Sequence, residues 1–169
     1  VTPLYHNGRL FVTSGYDHCA VLLEIAPDNS GVKEVWQQRQ FDANHGGVVL
    51  VDGFIYGSNW ESNTRGKWMC VDWQTGKIRY EHEWETKGSI IFPDDRHYCY
   101  EEKNVHVDLV KPHPEGFEIV STFEVTQRTN HHLAHPSFQE KVLYIRHRIA
   151  DLAYSLDADT PSDGCLRSA

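Results

Sequence analysis

Short apolar runs separated by turn-forming residues recur along the whole chain, and no stretch shows the spacing of an amphipathic helix. Four segments share one arrangement: a brief apolar strand, a turn, and a second apolar strand that carries an aromatic. They are Pro3-Leu4-Tyr5-His6-Asn7-Gly8-Arg9-Leu10-Phe11-Val12, Val48-Val49-Leu50-Val51-Asp52-Gly53-Phe54-Ile55-Tyr56-Gly57, Ile90-Ile91-Phe92-Pro93-Asp94-Asp95-Arg96-His97-Tyr98-Cys99 and Pro136-Ser137-Phe138-Gln139-Glu140-Lys141-Val142-Leu143-Tyr144-Ile145. The aromatics at positions 11, 56, 98 and 144 step by 45, 42 and 46 residues. Asn7-Gly8 and Asp52-Gly53 are dipeptides that tolerate positive φ, as a two-residue hairpin turn requires.

Each of the first three hairpins leads to a second strand pair. Val21-Leu22-Leu23-Glu24-Ile25 precedes Lys33-Glu34-Val35-Trp36, and Met69-Cys70-Val71-Asp72 precedes Lys77-Ile78-Arg79-Tyr80. Val107-Asp108-Leu109-Val110 precedes Phe117-Glu118-Ile119-Val120-Ser121-Thr122-Phe123. The closing aromatics at 36, 80 and 123 step by 44 and 43. Four strands every 42–46 residues is the pattern of a β-propeller blade; an all-β sandwich with accidental spacing is the competing fold. The spacing predicts an all-β chain of about three and a half four-stranded antiparallel blades. The units are 1–36, 45–80, 87–123 and an incomplete 132–157, followed by a polar tail over 158–169. Propellers close with roughly 4–8 blades. The expectation is therefore a partial or half ring, either part of a longer protein or one of two copies that form a homodimer and close the ring.

The segment Cys70-Val71-Asp72-Trp73-Gln74-Thr75-Gly76-Lys77-Ile78-Arg79-Tyr80 resembles the blade motif of pyrroloquinoline-quinone (PQQ) propellers, Ala-x-Asp-x-x-Thr-Gly-x-x-x-Trp. Asp72, Thr75 and Gly76 match, Cys70 stands for the small first residue, and Tyr80 replaces Trp. Asp and Thr cap the turn between the third and fourth strands, Gly supplies the unusual φ, and the aromatic docks between sheets. Trp36 and Phe123 are expected at the equivalent docking position. Residues 2–15 and 45–60 look like further blade openings, so residues 1–148 resemble the bacterial PQQ-like repeat proteins, described as quinoprotein-like or polyvinyl-alcohol-dehydrogenase-like. The pattern departs after Ile149, where a clean final strand pair is expected. The resemblance implies a periplasmic or cell-surface location. It also implies one of two functions: a scaffold that binds no quinone, like the outer-membrane assembly lipoproteins, or a PQQ- and Ca-dependent dehydrogenase of alcohols or sugars.

Composition narrows the partners. Sixteen Lys+Arg against 24 Asp+Glu give −8 at pH 7, a field that disfavours nucleic acid and anionic membrane surfaces. The aliphatic runs are far shorter than the roughly 20 residues that span a bilayer, so no membrane span is expected. The chain opens at Val1 directly into a strand-like pattern, as a processed or truncated chain does. Five Trp, 8 Tyr and 7 Phe against a single Met favour β-structure. Protonating all 11 histidines would carry the formal charge from −8 to +3, so behaviour near pH 6 is expected to change. Cys19, Cys70, Cys99 and Cys165 form no C-x-x-C pair; two disulfides, in any of three connectivities, stay open.

Candidate chemistry gathers on histidines and a few neighbours. Asn44-His45-Gly46-Gly47 and His131-His132-Leu133-Ala134-His135 both fall where the chain enters an innermost strand, near the mouth of a central channel. Converging imidazoles of His45, His132 and His135 are a candidate transition-metal site for Zn²⁺, Cu²⁺ or Fe²⁺. The competing role is ligand contact or hydrogen bonding between blades. Trp60 is a candidate floor under a planar cofactor, or a docking residue. Arg146 and His147 are candidates for holding a carboxylate or sugar, or for a cross-blade salt bridge. Glu101-Glu102 reads as a solvated turn, and residues 157–164 fail as a calcium loop because Pro161 takes a ligand position. A quinone site would need a calcium cage, an Asp base, a Trp floor and, in many such enzymes, vicinal cysteines; adjacent cysteines are absent from the sequence. Hydrolase, metallopeptidase and nucleotide motifs are absent too. The preferred expectation is an extracytoplasmic binding or scaffolding module with a small molecule or protein at the ring face. The alternative is a piece of a quinoprotein dehydrogenase.

Overall fold

The computed structural model describes residues 1–125, 133–147 and 150–156. Among them every regular element is a β-strand. Blade 1 holds β1 (Leu4–His6), β2 (Arg9–Val12), β3 (Ala20–Ile25) and β4 (Val32–Gln38). Blade 2 holds β5 (Val48–Val51), β6 (Phe54–Ser58), β7 (Trp68–Asp72) and β8 (Ile78–His82). Blade 3 holds β9 (Gly88–Ile91), β10 (His97–Glu101), β11 (His106–Lys111) and β12 (Glu118–Glu124). Blade 4 has three described strands, β13 (Ser137–Gln139), β14 (Val142–His147) and β15 (Ala150–Ser155). Each sheet is an antiparallel meander with its strands in chain order. The tail at 158–169, with Cys165, lies outside the described residues.

The first turn of every blade has the same conformation. Its two central residues are both left-handed: Asn7-Gly8, Asp52-Gly53, Asp94-Asp95 and Glu140-Lys141. Such turns match the right-handed twist of the strands they join. A second shared device is a bulge between the third and fourth strands, at Leu22/Leu23, Cys70/Val71 and Leu109/Val110. It increases local twist and turns the outer strand away from its neighbour.

Cross-strand register sorts the side chains into two faces per blade. The outgoing face, turned toward the next blade, carries Leu4-Phe11-Leu22-Trp36 in blade 1 and Val49-Tyr56-Cys70-Tyr80 in blade 2. In blade 3 the row is Ile91-Tyr98-Leu109-Ser121. Ser121 thus holds the register position of Trp36 and Tyr80. Phe123 stands two residues further along, opposite Val107, where its ring meets Tyr154 of blade 4 at 5.0 Å. The incoming faces carry Leu50-Ile55-Val71 in blade 2, Phe92-His97-Val110 in blade 3 and Phe138-Leu143-Tyr154 in blade 4. Outgoing and incoming faces meet in three apolar cores between successive blades.

Among the described residues two faces have no neighbouring blade. The incoming row of blade 1, Tyr5-Leu10-Leu23, is apolar like its buried counterparts, yet Tyr5 is 67% exposed. The outgoing row of blade 4 is Ser137-Tyr144-Ala153, with Tyr144 42% exposed. With Leu10 and Leu23 beside Tyr5, the blade 1 row is the more apolar of the two.

Candidate functional site

At one end of the blades, here the upper end, the connectors between sheets meet the loops joining second to third strands. The lower end carries the tight turns. Two inner strands come unusually close at the upper end. Ile90 N donates to Gly46 O at 3.0 Å, and a Cβ on Gly46 would lie 1.7 Å from Gly88 O. Only glycine allows that backbone approach. The following Gly47, with φ +74°, lies under His135, whose Cε1 would be 2.9 Å from a Cβ there. The fold therefore brings His135 against the glycine pair that directly follows His45.

His45 reaches across the blade boundary, with Nε2 3.5 Å from Glu102 Oε2. The same oxygen sits 2.7 Å from Lys87 Nζ, which also donates to Asn63 O at 3.1 Å. Lys87 is 3% exposed and Glu102 5%. Glu102 N donates to Lys87 O, extending the β9–β10 ladder by one pair and aligning the two side chains. Glu101-Glu102 is therefore not a solvated turn. Glu101 is fully buried and accepts bonds from the Lys103 and Asn104 amides, while Glu102 closes an ion pair. Desolvation lowers the His45 pKa, against the pull of Glu102, and Lys87 lowers it further. The imidazole is neutral at pH 7 and its Nε2 has no hydrogen-bond partner. His135, though open to solvent, is also shifted down by the protein packed around it.

Trp60 does not form an open floor. Tyr16 covers it at a ring distance of 4.9 Å, and its indole N–H is buried without a partner. Its backbone N–H donates to Asp42 Oδ1 at 3.3 Å. Arg146 is exposed on β14 opposite Asp151. His132 and the side chain of His147 lie outside the described residues. Further down the blades, Asp72 Oδ1 accepts from Gln74 N, Thr75 N and Thr75 Oγ1. Gly76, φ +69°, sits beneath Trp36, whose indole donates to Trp73 O at 2.9 Å. Tyr80 packs in the core between blades 2 and 3. Lys87, Glu102, Asp42 and Tyr16 escaped sequence reasoning because their partners are distant in the chain.

The described residues hold no group of three His, Cys, Asp or Glu placed to bind a metal. Cys19, Cys70 and Cys99 are unpaired thiols. Burial pushes the Cys70 thiol up to about 12 and Cys99 well above its ordinary value, so neither is a thiolate nucleophile. The described residues do not fit a quinone with its calcium: Trp60 is capped by Tyr16, and among them no three carboxylates come together as a cage for the ion. What the cluster can do is hydrogen-bond a polar group through His45 and the Lys87–Glu102 pair.

No protein-family model matches the chain, and no curated protein matches it in sequence. Solved structures do. BamB from Moraxella catarrhalis superposes with a TM-score of 0.61 at 13% identity, over 86% of this chain and 39% of that one. The nidogen/laminin complex gives 0.57 at 13% identity, over 88% of this chain and 56% of that one. A europium-containing methanol dehydrogenase gives 0.51 at 14% identity, over 71% and 23%. The chain thus spans from just under a quarter to just over half of the length of these chains. At such identities the likeness is one of fold, and the fold it establishes for this chain is the β-propeller.

Proposed function

We propose that the protein is an extracytoplasmic propeller module that binds a small ligand or a protein partner on its upper end. The observation that carries this reading is the asymmetry between the two ends. Among the described residues the upper end gathers four buried polar side chains without hydrogen-bond partners, His45, Trp60, Thr86 and Ser89, against His97 alone near the lower end. The lower end is made of self-satisfied turns such as Asp72–Gly76. Buried polar groups left unpartnered are costly unless something completes them. The resemblance to PQQ-like repeat proteins supports an extracytoplasmic setting, and the neutral His45 supports hydrogen bonding over charge transfer.

A photo-crosslinking residue placed at Thr64, on the upper end, or at Asp28, on a lower turn, tests the reading in a periplasmic extract. Adducts from the Thr64 position alone are expected. Equal labelling from both, or none from either, overturns it. Dye reduction on adding PQQ, Ca²⁺ and an alcohol would overturn it in favour of a dehydrogenase.

A further inference from the structure

Between blades 1 and 2 the upper end carries a second feature, apart from the His45 cluster. The loop after β2 runs through three consecutive left-handed residues, Gly15 at φ 69°, Tyr16 at 58° and Asp17 at 62°. Two of the three carry side chains, for which this backbone is strained. Gly15 also sits hard against Asn44: a Cβ would lie 2.8 Å from the Asn44 Cβ. The product of this strained path is an aromatic ring held outward. Tyr16 is 58% exposed and lies against Trp60, with ring centres 4.9 Å apart and planes tilted by 42°.

One buried carboxylate sets both rings. Asp42, 3% exposed, accepts from Asp17 N at 3.0 Å through Oδ2 and from Trp60 N at 3.3 Å through Oδ1. His18 Nδ1 meets Tyr16 O at 2.9 Å and closes the loop from its other side. The foot of the aromatic pair is acidic. Burial raises the Asp42 pKa, against the hydrogen bonds from the Asp17 and Trp60 amides, and the Asp17 carboxylate adds a smaller push in the same direction. Asp17 is exposed and has no ion-pair partner among the described residues. On the other side Glu61 follows Trp60, with Lys67 Nζ 3.7 Å from its Oε1. The exposed outer face of Tyr16, backed by Trp60 and beside the unpaired Asp17 carboxylate, is suited to a cation, and a guanidinium fits it because it stacks flat on aromatic rings.

We propose that Tyr16 and Trp60 form a docking site for an arginine side chain on an extended basic segment of a protein partner, with Asp17 receiving the charge. The proposal rests on the reading of the upper end as a binding face and names a partner class for it. The net charge of −8 favours such a partner at long range; the aromatic pair supplies the local recognition.

A dye-labelled hexa-arginine peptide followed by fluorescence anisotropy tests this on the full chain, at about 0.1 M ionic strength, where charges further apart than about 10 Å are screened. Tyr16→Ala should weaken binding by ~3- to 30-fold, the range of a cation–π contact. Tyr16→Phe keeps the ring and should bind like the parent. Asp17→Asn should weaken binding about threefold. Glu34→Gln with Glu118→Gln, on exposed outer strands, should leave it unchanged. Tyr16 is exposed, so its substitution leaves the core intact. Unaltered affinity in Tyr16→Ala overturns the proposal, as does an equal loss in the outer-strand variant. If crosslinking from Thr64 persists in that case, the upper end remains a binding face with a different occupant.

Discussion

His97 occupies the incoming-row position that Ile55 holds in blade 2 and Leu143 in blade 4. It is fully enclosed, with Tyr56 at 4.4 Å and Phe92 at 5.2 Å, and its Nε2 has no partner. Desolvation lowers its pKa to about 4. The unfolded chain takes up this proton near pH 6.5 and the native one does not, so stability from His97 is complete above that value. It is lost as pH falls toward 4, by roughly 3 kcal/mol. His97→Leu should remove that loss, and urea melts at pH 7 and pH 4 would read it as a flatter pH profile. From the sequence the abundance of histidine was legible, but not which one is entombed, because burial depends on a neighbouring blade. The same holds for Glu102: two adjacent acids look solvated until Lys87 arrives 15 residues away to pair with one of them.

Elements were more legible than side-chain partners. Asn-Gly and Asp-Gly announce two hairpins, and the equal spacing of aromatics locates the other two. Yet Asp94-Asp95 and Glu140-Lys141 hold the same left-handed turn without glycine, and their strain leaves no mark in the residue pattern. Nor does the length of chain between the paired row residues of third and fourth strands, which is shorter in blade 3 (Leu109 to Ser121) than in blade 1 (Leu22 to Trp36) and so carries Phe123 past the row that its spacing implied. The interlock of blades 1 and 2 tests how much such local geometry matters. Trp36 lies on Gly76, and Gln38 Nε2 donates to Gly76 O at 2.9 Å. In Gly76→Ala the new methyl would lie 2.7 Å from the Trp36 ring at a φ that suits glycine. A loss of ~2–3 kcal/mol is expected, with a red shift of tryptophan emission as Trp36 leaves the turn; an unchanged denaturation midpoint would contradict it.

For the whole molecule the propeller architecture was readable from periodicity alone, because each repeat builds one sheet and buries it against the next. The inequality of the two open faces was not, since it emerges only when register assigns each residue to a side. The apolar row of blade 1 should bind the dye 8-anilinonaphthalene-1-sulfonate. Leu10→Gln with Leu23→Gln should cut that fluorescence by roughly half or more, whereas Tyr144→Ser should not. The outgoing rows also impose an order in time. Phe11, Tyr56 and Tyr98 are each covered by the blade that follows them in the chain. During synthesis each aromatic must wait for some 42–46 further residues, roughly two to nine seconds at ribosomal speed. A chaperone that holds exposed aromatics would therefore meet this protein one blade at a time, always at its newest edge.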